Sequence, residues 1–100
     1  MIKHIVFWKM KPEAEGRSAS ENATLMVEKL QSLKGLVPQV VDIEAGVDFC
    51  RTDAAWDVAL FSSFKTRADL DAYQVHPEHL KVVEFVRSVV AARSVVDYEI

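Results

Sequence analysis

Tyr73, His76 and His79 fall within one seven-residue segment, Tyr73-Gln74-Val75-His76-Pro77-Glu78-His79. A neutral imidazole can take a proton from carbon or oxygen, and a phenol can donate a hydrogen bond to a carbonyl or enolate oxygen. The chemistry open to this segment is therefore acid–base catalysis without a cofactor. Pro77 suits the first turn of a helix, where its missing N–H costs nothing, so a helix is predicted to start there. From that start His79, Val82, Val83, Val86, Val89 and Val90 share one stripe, with His79 at its head. The positive end of the helix dipole and burial both disfavour an imidazolium at this place. Two readings follow: His79 is a base in a pocket, or it is a core histidine hydrogen-bonded to Tyr73.

His4 shares a strand face with Val6 and Trp8. It is either a third cavity group, steadying an oxyanion, or a satisfied core residue. His76 directly precedes Pro77 and is placed near the N-cap, as a capping residue or at a pocket rim. The three histidines could in principle ligate zinc or iron. There is no HExxH motif and no carboxylate on the His79 stripe, and His76 is expected to point away from His79, so no metal is assigned. An oxygen-lined site for a hard cation near Leu36 to Pro38 stays open. No phosphate loop, dinucleotide fingerprint or catalytic serine motif occurs, and no cofactor is expected. Cys50 is the one cysteine and has no basic activator nearby in sequence, which makes it a plain thiol.

The elements that must position these groups follow from periodicity. Residues 2–10 alternate as a strand, with Ile2, His4, Val6, Trp8 and Met10 on one face and Ile5 and Phe7 on the other. Both faces are apolar, as expected of a strand covered on two sides. A helix is predicted from about Ser20 to Leu33, with Gly35 as its stop. Strands follow at 39–48 and 56–64, with a bend at Gly46. Thr66 caps a short helix through Tyr73, the helix from Pro77 runs to about Ala92, and a last strand spans Arg93 to Ile100. The order β-α-β-β-α-β is the ferredoxin-like pattern, an α+β fold with both helices on one face of a four-stranded antiparallel sheet. The other face is left bare by Ile5, Phe7, Ala59, Phe61, Val96 and Tyr98, so a homodimer packed sheet to sheet is expected.

The chain is expected to be one domain over residues 1–100. Its net charge is −3 with scattered Lys and Arg, which gives no nucleic-acid footprint. No apolar run reaches membrane-spanning length, and Met1-Ile2-Lys3-His4-Ile5 enters a strand rather than a signal peptide. A lone cysteine suits a reducing compartment, and the expected location is the cytoplasm.

At this point the chain resembles the stress-responsive α/β-barrel family, within the dimeric α+β barrels. Ile2-Lys3-His4-Ile5-Val6, the segment Tyr73 to His79, and Val95-Val96-Asp97-Tyr98-Glu99 carry the likeness along essentially the whole chain. The resemblance implies a homodimer whose sheets form a barrel, with a cavity in each subunit between sheet and helices. Family members include heat-stable plant stress proteins and cofactor-free polyketide cyclases. In the cyclases a tyrosine and the second histidine of an HPxH motif perform the acid–base chemistry, which by motif implies Tyr73 and His79 here, with His4 facing the same cavity. The kindred antibiotic-biosynthesis monooxygenases imply oxygenation of an aromatic substrate as a further possibility. The cavity is expected to hold a small hydrophobic metabolite. Its expected walls are Val6 and Trp8 from the first strand, Met26, Val27 and Leu30 from the first helix, and Val41 and Ile43 from the second strand. Val58, Leu60, Val82 and Val95 complete them, with His76 at the rim. Met26, Val27 and Leu30 stand where the plant cyclases carry bulkier aromatics, which argues against a plant-type aromatic polyketide.

Overall fold

Residues 2–10 carry β-branched and aromatic side chains in strict alternation, and Ile2–Met10 forms β1. Ile2, His4, Val6, Trp8 and Met10 are buried on one face, while Phe7 and Lys9 on the other are exposed. The computed structural model describes all of residues 1–100. After β1, Glu13–Ala14 (β2) and Arg17–Ser18 (β3) make a small hairpin turning on Glu15 and Gly16, at φ 54° and 73°. Two left-handed residues are what a two-residue hairpin turn requires. So short a pair of strands has no periodicity to detect in the sequence.

The helix α1, Ala19–Leu36, is fixed at its start by a capping box. Ser18 Oγ accepts from the Glu21 N–H at 3.2 Å, and Glu21 Oε1 accepts from the Ser18 N–H at 3.1 Å. Gly35 does not stop this helix, contrary to expectation. One glycine weakens a helix by about 1 kcal/mol but does not end it. The stop is set by Pro38, which disfavours helical backbone at the residue before it; Val37 accordingly turns extended, at φ −117° and ψ 110°. Strands β4 (Asp42–Val47) and β5 (Val58–Phe64) begin later than periodicity indicated. Asp57 lies before β5 and uses a carboxylate oxygen to accept from the Met10 N–H at 2.7 Å.

The remaining elements are α2 (Arg67–Val75), α3 (Pro77–Val89) and β6 (Val90–Glu99). The helix α3 gives way to β6 without a loop, three residues before the predicted junction. Val89-Val90-Ala91-Ala92 is apolar in either state, and pairing with β1 decides in favour of strand. The four long strands form one antiparallel sheet in the order β4-β5-β1-β6, the ferredoxin-like arrangement with β1 in the interior. Along β1–β6 the register shifts once: Met10 pairs with Val90 but Lys9 with Ala92. The extra residue, Ala91, is a β-bulge that sets which side chains of β6 face the helices. Trp8 then pairs with Arg93, Val6 with Val95 and His4 with Asp97 on that face.

The core lies between the sheet and the helices. Met26, Leu30 and Leu33 of α1, Val86 and Val89 of α3, and Val6, Val58, Leu60 and Phe64 of the sheet are buried together. On the opposite face the register sets Ile5 against Phe61 and Val96, Phe7 against Ala59, and Lys3 against Tyr98. There Phe7 is 40% exposed, Val96 61% and Tyr98 45%. No helix is long and apolar enough to cross a membrane.

A single residue joins α2 to α3. The His76 N–H donates to the Tyr73 carbonyl at 3.2 Å, closing α2, and its Nδ1 accepts from the Glu78 N–H at 3.1 Å, capping α3. Replacing His76 with Ala should cost about 0.5–2 kcal/mol in denaturant melts, and His76→Asn, itself a good cap, should recover most of it.

Candidate functional site

Between β1 and the α2–α3 pair the packing opens into a cavity of about 360 Å³. That is within the range of about 300–1,000 Å³ usual for small-molecule clefts. His4, Val6 and Trp8 of β1 line it, with Leu30 of α1 and Leu60 of β5. Tyr73 and Gln74 come from the end of α2, and His79, Leu80, Val82, Val83, Val86 and Arg87 from α3. Val90 and Arg93 of β6 complete the wall. Tyr73, His79 and His4, singled out from sequence, are thus gathered in one place. The Tyr73 and His79 rings lie 4.2 Å apart between centroids, and His4 meets Tyr73 edge-on at 6.3 Å.

The expected hydrogen bond between His79 and Tyr73 is not formed. His79 Nδ1–H donates to the Gln74 carbonyl oxygen at 3.1 Å instead. A carbonyl can only accept, so the proton of neutral His79 sits on Nδ1 and Nε2 keeps a free lone pair. Burial is the main cause that holds the His79 pKa below 6.5; the Gln74 bond opposes it, and His4, Arg93 and His76 add like-charge repulsion. The Tyr73 side chain is fully buried and its hydroxyl has no partner. Burial raises its pKa well above 10, so the phenol stays protonated. Trp8 Nε1–H, also buried, has no partner either. His4 is paired through Nδ1 with the Asp97 carboxylate, which fixes its tautomer with Nδ1 as donor. A base, a protonated phenol, an indole donor and an oriented imidazole therefore share one largely apolar space.

Several expected wall residues are elsewhere. Met26, Ile43 and Val58 are buried in the core and do not line the cavity. Val27 packs partly buried against that core, and Val41 is 37% exposed on the approach to β4. Met26, Ile43 and Val58 share the helix-facing side with the lining residues, but core side chains close the space around them. Val95 faces the helix side but sits on an edge strand beyond their cover and is 41% exposed. The His76 ring is spent on the α3 cap and is not in the wall. Conversely, sequence periodicity missed Asp97, Gln74, Leu80, Arg87 and Arg93. Asp97 could have been found by aligning β1 and β6 antiparallel and asking what sits opposite His4. Gln74, Leu80 and Arg87 lie beside the His79 stripe rather than on it, and Arg93 follows by alternation from Val95. No group of three or more His, Cys, Asp or Glu side chains gathers that could hold a metal ion.

The family described as the stress responsive A/B barrel domain matches residues 2–100. A dimeric protein of unknown function and ferredoxin-like fold from Bacteroides fragilis superposes with a TM-score of 0.87 at 26% identity, covering 99% of this chain and 95% of that one. A hydroxynitrile lyase from Passiflora edulis gives 0.81 at 18% identity, over 97% and 90% of the two chains. An antibiotic biosynthesis monooxygenase gives 0.75 at 19% identity, over 100% and 98%. At those two identities the likeness is one of fold. No curated protein matches the chain.

The depressed His79 pKa has a definite sign in stability. The unfolded chain takes up a proton at about 6.5 while folded His79 does not. The stability contributed by neutral His79 is therefore present above pH 6.5 and lost as pH falls from there through the folded pKa. NMR titration of the His79 ring should give a pKa below 6.5. Melts between pH 5 and 8 should show wild type losing stability relative to His79→Gln as the solution is acidified. A ring that titrates above 6.5 contradicts this.

Proposed function

Within the stress responsive A/B barrel domain family, to which this chain belongs, we propose that the protein binds a small, mostly apolar metabolite in the cavity between sheet and helices. One observation carries the reading: Tyr73 and Trp8, whose hydroxyl and indole N–H are buried without partners, line that cavity. Each such group costs about 1–3 kcal/mol when left unpaired. A binding site bears that cost because the ligand supplies the missing bonds. The same polar atoms distinguish this space from a packing defect, whose walls are apolar.

A second reading, cofactor-free proton transfer, is favoured by the free Nε2 of neutral His79 beside a protonated phenol. His79 would take a proton from carbon beside a carbonyl and return it at the end of the cycle. Tyr73 would hydrogen-bond to the enolate oxygen, and His4, held by Asp97, would act as a second polar contact. Isomerisation and lyase-type steps both fit those roles. Assembly belongs to the same proposal. Ile5, Phe7, Ala59, Phe61, Val96 and Tyr98 form an apolar sheet face that a second copy would cover, leaving the cavity on the helix side of each subunit.

Tyr73→Phe separates the binding role from a structural one. It removes a hydroxyl that has no partner, so thermal melts should show the variant no less stable than wild type, while native mass spectrometry should show any co-purified metabolite lost or weakened. A drop of about 1–3 kcal/mol would mean that the hydroxyl serves the fold, and would sink the proposal. Proton transfer is tested with cyclohexanone in D2O. Wild type should speed exchange of the protons beside the carbonyl, and His79→Ala should not; equal rates without enzyme count against catalysis. For assembly, Phe7→Glu should sediment as a monomer or an aggregate, whereas an unchanged dimer places the interface elsewhere.

A further inference from the structure

The cavity wall contains two formal charges that the acid–base reading does not use, and both are positive: Arg87 near the end of α3 and Arg93 early in β6. The bulge at Ala91 places Arg93 opposite Trp8, on the cavity face. Neither guanidinium has a carboxylate partner. The ion pairs of the molecule join His4 to Asp97, Lys34 to Asp42, Arg51 to Asp48 and Asp57, Arg67 to Glu99, and Lys81 to Glu78. No Asp or Glu lines the cavity, although the chain as a whole carries a net charge of −3. Glu84, one turn before Arg87 on α3, makes no ion pair with it. Positive charge is thus concentrated at one mouth against the sign of the protein.

We infer that the ligand is an apolar carboxylic acid, bound with its carboxylate at Arg87 and Arg93 and its body against the valines of α3. This inference rests on the proposed binding reading and names the ligand class for it. A guanidinium offers paired donors that match a carboxylate. The mouth lies toward the C-terminal end of α3, where the helix dipole is negative. That negative end repels a doubly charged phosphate more than a singly charged carboxylate, which makes the carboxylate the better match for the two guanidiniums here. With the head so fixed, Val83 and Val86 contact the apolar body. The far end of the ligand meets Tyr73, whose buried hydroxyl has no partner, while Trp8, the cross-strand neighbour of Arg93, lies beside its head. The ligand would therefore carry a second polar group, a carbonyl or hydroxyl, at the end away from its carboxylate.

The test uses octanoate, octanol and octyl phosphate with the intact protein, following the Trp8 indole N–H resonance and isothermal titration heats. Octanoate should bind about tenfold more tightly than octanol, as expected for a charge-assisted pair at a partly exposed site. That preference should vanish in Arg87→Ala/Arg93→Ala and shrink at high salt, and Arg→Lys at both positions should restore part of it. Octanol binding as tightly as octanoate, with the Trp8 resonance moving for both, overturns the anion inference while leaving the cavity reading intact. Octyl phosphate binding more than tenfold tighter than octanoate overturns the choice of carboxylate. Failure of all three to perturb Trp8 overturns this inference and the binding proposal together.

Discussion

β1 is hydrogen-bonded along both edges, to β5 and β6, and carries large side chains on both faces, so neither face can be left in water cheaply. Most of the molecule follows from this. One face is covered by α1 and α3 packed on Val6, Trp8 and Met10. The other is covered by nothing within the chain, and Phe7 stays 40% exposed. The helices cannot seal their own side completely. The space that Tyr73 and His79 line lies beside the break between α2 and α3 at His76.

The chemistry of that space depends on what has been kept out of it. His79 is half-buried, and loss of water is the largest cause that keeps it neutral. The same loss of water holds Tyr73 protonated. In bulk solvent these two groups would differ little from free side chains; beside each other in apolar surroundings they become a proton acceptor and a donor of matched sign. The Gln74 carbonyl contributes by fixing which nitrogen of His79 is free. Asp97 does the corresponding work for His4 from the neighbouring strand.

The order of the elements and both long helices were legible in the sequence because they rest on periodicity, while the grouping of His4, Tyr73 and His79 in one cavity was implied by the family resemblance. Alternation in residues 2–10 and the valine stripe after Pro77 each encode a buried face directly. What was not legible depends on pairing between distant segments. Val89 to Ala92 reads equally well as helix or strand, and only its partner β1 resolves it. Gly35 looked like a helix stop, but the restriction imposed by Pro38 two residues on was the stronger constraint. The wall residues Met26, Val41, Ile43 and Val58 share a face with the true lining, and alternation cannot say how far along a strand or helix a cavity extends. His76 was placed at a cap or at a pocket rim, and its Nδ1 serves the cap.

The bulge at Ala91 makes the two surfaces of β6 depend on a count of residues. With it, Arg93, Val95 and Asp97 face the helices, and Ser94, Val96 and Tyr98 face away. Side-chain direction alternates with each residue, so losing Ala91 would exchange the two sets along the whole strand. Arg93 would leave the cavity and Asp97 would leave His4, just as Val96 and Tyr98 left the apolar sheet face. A one-residue deletion there is thus a different kind of event from any substitution, since it changes both faces of the strand in one step. Insertions and deletions between α3 and β6 should survive in this lineage chiefly in pairs of residues, a parity rule written into the pleat of one strand.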